Sequence, residues 1–440
     1  MDPERSSLFR AFEILTLQGG FNATVVLVGT TLLGIAAGVI GAFVLLRQRS
    51  LTADALSHAT LPGIGIAFLA ATAMGLDGRS LPILLIGASI SGVAGVACIQ
   101  LITTYTRLRE DAAIGIVLST FFGAGVVVLS LVQTSERGAA AGLNGLIYGQ
   151  AATMVPRDAL LLGGIALTAM IAAGLLLKEL ALVAFNDAFA EVDGWPVQTI
   201  DAGLLALVVL VTVAGLQAVG LILVVALLIV PPVAARFWTE RLWRMVALSG
   251  VMGGLSGYLG ATISAVLPSM PAGAVIVLTS GVVFAISFLF APRRGVIAAA
   301  VRRAELRLRI AGDHLLEAAH DIERDGRGDM PPASIDLLAK RRGWSVWLRP
   351  LVIWSIQLRG LATTTHGSIR LTDTGRTEGR RISRNHALWT QYLISYADIA
   401  PTHVDWSVDQ VEHVLAGDLV DELERALESR GVTVPGGATA

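Results

Sequence analysis

Leu51-Thr-Ala-Asp-Ala-Leu-Ser-His-Ala-Thr-Leu-Pro-Gly63 opens an apolar run that continues to about Ala73. Asp54 and His58 stand four apart, so a helix puts both on one face, one turn from each other, with Ser57 and Leu61 beside them. Pro62-Gly63 follows, where such a helix is expected to bend or break. A carboxylate at the centre of a bilayer-spanning helix costs about 2.5–3.5 kcal/mol, so it needs a polar cavity or a partner. A carboxylate and an imidazole one turn apart form half of a tetrahedral or octahedral site for a divalent transition metal. A plainer role fits the same residues: Asp54 capping the helix and His58 hydrogen-bonded to a neighbouring helix. His58 is the only histidine in the first 313 residues, which favours the metal site.

Around this stretch the composition is that of a polytopic membrane protein. The chain has 440 residues, 54% of them hydrophobic, and a mean hydropathy of +0.68. The average hides a shift. Residues 1–300 hold 15 Lys/Arg and 15 Asp/Glu, and residues 301–440 hold 18 and 19 in less than half the length. Two domains follow, 1–300 in the membrane and 301–440 of ordinary soluble composition, with the boundary near Pro292-Arg-Arg-Gly295. The single cysteine, Cys98, lies in an apolar run, which leaves no disulfide framework and no thiolate cluster. The start of the chain lacks a basic region followed by a cleavage site, so no removable signal peptide is expected. Most of the 47 glycines fall in the first 300 residues, as close helix packing requires. No Gly-x-x-x-x-Gly-Lys-Ser/Thr occurs, so nucleotide binding by this chain is not expected.

Apolar runs long enough to span appear at about 22–46, 54–75, 81–104, 112–132, 159–177, 201–215, 217–235, 245–267 and 273–291. Gly215 and Gly220 suggest where the stretch from 201 to 235 divides. The expected fold is an all-α bundle of about eight or nine transmembrane helices. With nine spans and the C-terminus inside, inner loops hold ten Lys/Arg and outer segments five. The bias favours an external N-terminus and a cytoplasmic C-terminal domain.

Asp54-Ala-Leu-Ser-His-Ala-x-Leu-Pro-Gly63 resembles the second helix of the permease subunits of bacterial manganese, zinc and iron ABC importers. More of that pattern recurs in order. Arg109-Glu-Asp-Ala-Ala-Ile-Gly115 resembles a Glu-Asp-x-x-x-Gly segment, and Phe185-Asn-Asp-Ala-Phe-Ala190 with Gly194 is similar to the family's cytoplasmic loop. Gly220 through Pro232 is similar to a late apolar helix, and Pro271-Ala-Gly-Ala274 to the turn before the last. The resemblance covers about residues 20–295. It implies a multi-pass subunit in the bacterial plasma (inner) membrane that carries no ATPase activity of its own. Its partners would be a separate ABC ATPase, an extracytoplasmic metal-binding protein and a second permease subunit, identical or paralogous. Asp54 and His58 would line the metal path. Glu110 and Asp111 are weaker path candidates, since two acids at a helix start also serve as cap and dipole partner. Phe185, Asn186, Asp187 and Gly194 would form the ATPase coupling segment. Asn186 stands where the family usually has Asp, so any role for that carboxylate passes to Asp187 or is lost.

From Val301 apolar residues recur at helical spacing, and Gly326–Pro332 breaks the pattern. Helices are expected at about 333–342 and 351–359, a two-stranded wing over 360–372, and a helix over 374–396 capped by Thr372 or Asp373. Two more are expected at about 407–415 and 417–429. This order resembles the metal-dependent repressors of the manganese and iron (diphtheria-toxin-repressor) type: a small α+β winged helix over 313–373, then a helical dimerisation and metal-binding part over 374–430. The resemblance is sharpest at Arg384-Asn-His-Ala-Leu-Trp389 and Asp409-Gln-Val-Glu-His413. It implies that His386, Asp409, Glu412 and His413 bind a regulatory manganese, zinc or iron, with His314 and Glu317 as the first helix's counterparts. The winged helix is degenerate. Its groove-entering helix reads Trp344-Ser-Val-Trp-Leu-Arg-Pro-Leu-Val-Ile-Trp354, apolar and interrupted by Pro350, so DNA binding is not expected.

The expectation is a permease subunit for a divalent transition metal, with a C-terminal domain that senses metal and regulates transport. The alternative is a membrane-tethered, metal-dependent DNA-binding regulator, but an anchor needs neither nine spans nor an intramembrane Asp-His pair. A secondary metal transporter, the third reading, fits less well with the resemblance to ATPase-docking permeases.

Overall fold

In lipid every backbone N–H and C=O must be satisfied within its own segment, so the apolar runs fold as helices. The computed structural model describes residues 12–18, 20–47, 50–78, 80–134, 156–267, 270–345, 347–396 and 425. The chain divides into two compact units, Met1–Ala298 and Ala299–Ala440. In the first unit the helices are α1 (Phe21–Leu46), α2 (Ser50–Ala73), α3 (Leu81–Tyr105), α4 (Glu110–Thr134), α5 (Pro156–Leu175), α6 (Leu177–Phe185), α7 (Asp187–Val192), α8 (Val197–Val219), α9 (Leu221–Arg236), α10 (Leu242–Val266) and α11 (Ala272–Phe290).

Seven of these are long and apolar enough to cross a membrane: α1, α2, α3, α4, α8, α10 and α11. An eighth forms if α5 and α6, which meet at a 64° bend, count as one span. Among the described residues the expectation of about eight or nine spans is met at its lower bound, and two places decide the count. The chain turns at Leu176, so α6 leaves the line of α5 and occupies what reads as an inner loop. Gly220, with φ 86°, does divide the long run, but it leaves α9 only 16 residues. At 1.5 Å per residue that is about 24 Å, short of a ~30 Å hydrocarbon core. Gly215 breaks nothing; it lies inside α8, and a side chain there would meet Val224.

The bundle is held where glycines let backbones touch. A Cβ on Gly34 or Gly38 of α1 would strike the carbonyls of Gly253 or Ser249 of α10, and one on Gly257 would strike the carbonyl of Thr30. On α2, Gly63 lies against Gly87 of α3, and Gly125 of α4 against Leu61 and Pro62. Ser91 of α3 donates to the carbonyl of Ala59 (2.6 Å). These contacts clamp α2 between α3 and α4. They also correct the expected break at Pro62-Gly63, because α2 runs unbroken through Pro62. Pro62 still has no N–H to give to the carbonyl of His58.

The second unit begins within α12 (Val296–Arg324), which starts earlier than its amphipathic pattern suggests. It continues with α13 (Pro332–Arg341), α14 (Leu348–Leu358), β1 (Ala362–Thr365), β2 (Ser368–Leu371) and α15 (Asp373–Tyr396). The strands pair antiparallel, with Thr364 opposite Ile369, around His366-Gly367, both at positive φ as a tight hairpin requires. Met330 adds a bridge to Ile369. Leu315, Leu316, Ile335, Val352, Ile356 and Ile369 form the core. Thr372 caps α15, its Oγ1 accepting from Gly375 N (3.1 Å). The expected break at Pro350 is not found. α14 begins at Leu348, so Pro350 sits in the first turn, where no intrahelical N–H is lost. The expected helices at 407–415 and 417–429 lie outside the described residues.

The α1–α10 contact predicts a sharp positional contrast. Gly38→Leu should lower the thermal stability of the detergent-purified protein by several degrees and reduce its yield, because backbone must move. Gly203→Ala, where nothing lies within 4 Å of the added carbon, should leave both unchanged. Thermal unfolding of the two variants checks this.

Candidate functional site

Asp54 and His58 face each other along α2 as their spacing requires, with Asp54 Oδ1 3.6 Å from His58 Nε2. The side chains are 39% and 21% exposed, so the pair sits at a surface of the described bundle and not in its core. On the other side the imidazole meets Phe122 of α4 edge-on, with centroids 5.0 Å apart. His58 Nδ1 is buried and has no hydrogen-bond partner among the described residues. The plainer role is therefore not what the geometry offers. The contact to the neighbouring helix is aromatic, and Asp54 stands four residues past the start of α2, beyond the capping position.

Two donors each about 2.1 Å from one tetrahedral ion stand about 3.4 Å apart, close to the separation seen here. The arrangement can thus supply one oxygen and one nitrogen to a cation, together with a negative charge. Among the described residues no three His, Cys, Asp or Glu side chains gather closely enough to hold an ion. Glu110 and Asp111 occupy the first turn of α4, exposed, which suits interaction with the helix dipole.

Phe185, Asn186, Asp187 and Gly194 lie together in a helical turn segment. Asn186 ends α6 and caps α7, its Oδ1 accepting from Phe189 N (2.9 Å). Gly194, at φ 85°, turns the chain toward α8. Phe185, at the end of α6, and Phe189 and Val192, on the six-residue α7, are left exposed at 67%, 55% and 89%. Asp187 points back: its Oδ2 lies 3.4 Å from Arg47 Nη1.

Sequence reasoning missed Arg47 and Asp201. Arg47, at the end of α1, donates to the Val183 carbonyl (2.9 Å) and to Asp201 Oδ2 on α8 (2.6 Å). Asp201 is only 7% exposed. One guanidinium thereby ties α1, α6, α7 and α8 together. A signal existed, since Asp201 is the only charged residue in α8. Its partner, 154 residues away, could not be read from spacing.

In the second unit, Glu317 stands between two imidazoles. Its Oε2 lies 4.0 Å from His314 Nδ1 on the same helix, and its Oε1 3.6 Å from His386 Nδ1 on α15. Burial alone would raise the Glu317 pKa; the polar contact with His314 and the charges of His386, His314 and Arg342 outweigh it and hold the carboxyl below the usual glutamate value. Asp321, one turn on, is pushed the other way by burial and by the Glu317 charge. Arg376 of α15 reaches Glu323 of α12 (2.8 Å) and holds the two helices together. Asp409, Glu412 and His413 lie outside the described residues. The donor set is of the imidazole and carboxylate kind that suits manganese, iron or zinc, but the described part forms an ion-paired chain and not a closed shell.

A family model described as the ABC 3 transport family matches residues 22–291. A second, described as the iron dependent repressor, metal binding and dimerisation domain, matches residues 372–433. The chain is 37% identical over 396 residues to the manganese transport system membrane protein MntC of Bacillus subtilis, covering 90% of this chain and 89% of that protein. A match of that length cannot fit within the membrane unit, so it reaches into the second. The zinc transport system membrane protein TroC of Treponema pallidum is 43% identical over 305 residues, 69% of this chain and 98% of that protein. Among solved structures, PsaBC from Streptococcus pneumoniae in complex with Fab matches at 30% identity and a TM-score of 0.55. That match covers 63% of this chain and 95% of that one.

Proposed function

The chain belongs to the ABC 3 transport family, and from that premise we propose that it is the permease subunit of an importer for manganese, zinc or iron(II), with a C-terminal domain that senses the imported metal. The observation that carries the substrate is the Asp54–His58 pair, two donors at metal-bridging separation on a clamped helix, with His58 Nδ1 lacking a partner. Relatives named for manganese and zinc transport agree with that chemistry. An aqua ion entering the path exchanges water for the Asp54 carboxylate and the His58 imidazole. Asp54 also offsets the cost of bringing a divalent charge into a medium of low dielectric. Two donors leave the shell half filled. The remaining ligands come from water or from the same pair on a second permease subunit, which suits the exposure of these side chains.

ATP hydrolysis belongs to a separate subunit that seats on Phe185, Phe189 and Val192. Arg47 carries movement of that segment to α1 and α8, because its contacts leave α6, α7 and α8 no independent motion there. An extracytoplasmic binding protein delivers the ion. The second unit lies in the cytosol, where a metal ion bound by His314, Glu317 and His386 with Asp409, Glu412 and His413 would join α12, α15 and the segment beyond. Such a junction could hold the permease in one state with a coupling of about 1–3 kcal/mol. The tethered DNA-binding alternative finds no support in α14, whose surface is apolar.

Three outcomes are expected. Asp54→Ala and His58→Ala should each lower uptake of radioactive manganese or zinc in membrane-inserted protein at least tenfold; unchanged uptake in both would overturn the assignment. Arg47→Ala removes the guanidinium that lies 2.6 Å from the buried Asp201 carboxylate, and breaking a buried ion pair costs about 3–5 kcal/mol. In reconstituted transporter it should therefore keep ATP hydrolysis while uptake falls, whereas Arg47→Lys should recover part of the coupling. Removing residues 301–440, or changing His386 and His413 to Ala, should keep uptake active at cytosolic metal levels that silence the intact chain. Silencing that survives both changes would show that the domain does not sense the ion.

A further inference from the structure

α14 is apolar on two opposite faces. Val352 and Ile356 are buried in the core of the second unit, with Leu348 and Ile353 packed partly against it. The opposite face carries Trp347, Leu351, Trp354 and Leu358, at steps of four, three and four residues, which on a helix is one stripe. These side chains are 82%, 48%, 59% and 66% exposed. Nothing in the second unit covers them among the described residues, and Leu337 of α13, 59% exposed, adds to the apolar surface. A soluble domain rarely leaves such a stripe without an occupant.

We propose that this stripe seats the second unit on the anionic lipid surface of the membrane that the first unit spans. Four observations favour lipid over protein. Tryptophans stand in the first half and middle of the stripe, with leucines between and beyond, and tryptophan, with its apolar ring and polar N–H, is the residue enriched at the boundary of headgroups and acyl chains. The segment that carries the stripe is basic: Lys340, Arg341, Arg342, Arg349 and Arg359 stand against the single acid Asp336 over residues 332–359. Arg349 pairs with that acid, which leaves the exposed Lys340 and Arg341 to meet phosphates. The helix has 11 residues, about 16 Å, too short to span a bilayer and suited to lying in its surface. Finally, only residues 291–295 separate α12 from the apolar helix α11, so the unit is tethered to a bilayer by its own chain. Attachment needs both the apolar stripe and the charge, because neither signal alone gives stable binding at this size.

The test uses the full chain with Cys98→Ala, reconstituted in nanodiscs of phosphatidylethanolamine and phosphatidylglycerol. A nitroxide is attached at Leu351→Cys in the stripe, or at Thr363→Cys on the exposed strand β1. Collision with oxygen reports lipid, and collision with a water-soluble nickel chelate reports solvent. The ratio of oxygen to nickel accessibility at position 351 should exceed that at 363 several-fold. It should fall several-fold in phosphatidylcholine nanodiscs at high salt, and also when Trp347→Ser and Trp354→Ser are added. A label at 351 as open to nickel as the one at 363 would overturn the proposal. So would a label shielded from both reagents, which would mean that protein, a second copy included, covers the stripe. Binding of a promoter duplex that protects position 351 from nickel would overturn it in favour of nucleic acid.

Discussion

Lipid tails are as apolar as leucine, so the hydrophobic effect gives two spanning helices little reason to associate. What holds this bundle is close approach, and close approach needs glycine. The α1–α10 crossing, where Gly34 and Gly38 lie on the backbone of Gly253 and Ser249, is the contact on which the other helices are arranged. α1 also touches α8, α9 and α5, and through Arg47 the end of α6 and Asp187 of α7. A second crossing of the same kind, Gly63 on Gly87, fixes α2, and with it the depth and direction of Asp54 and His58. The placement of these two donors therefore rests on glycines, which have no side chain to contribute.

The same economy explains where polar groups stand. Most hydroxyls on the spanning helices turn back onto their own carbonyls, as Ser57 does to Ala53 and Ser249 to Met245. These satisfy themselves and specify nothing. Ionisable groups on the long helices of the first unit are few. Asp201 and Arg47 neutralise one another where α1 ends. Asp54 and His58 do not: they are 3.6 Å apart, partly exposed, and His58 keeps one nitrogen unspent.

What could be read from the sequence follows from range. The Asp54–His58 relation is local, set by one helical turn, and it was legible, as were the wing, the Thr372 cap and the division at Gly220. The bend between α5 and α6 was not, because Leu176 carries no proline or glycine to announce it, and only packing turns the chain there. Pro350 was misread for the opposite reason. A helix-breaking residue was visible, but its effect depends on which turn it occupies, and α14 starts two residues before it. The Arg47–Asp201 pair joins distant segments and needed the fold. In the second unit, Glu317 and His386 come together only because the hairpin returns α15 to α12.

A chain that both carries and senses one kind of ion has to keep the two tasks apart in affinity. A transport site must bind well enough to strip water yet weakly enough to let go, and that limits the donors it can commit. Two residues per chain meet this limit, with water or a second subunit filling the shell only transiently. A sensor has the reverse need, since it should hold the ion at a low free concentration and change shape on doing so. Glu317 and His386 lie on different helices, so in the proposed scheme an ion held by both would add to the Arg376–Glu323 link between α12 and α15. In the proposed scheme the difference between cargo and signal is thus a matter of how many donors each site commits and how many helices those donors lie on.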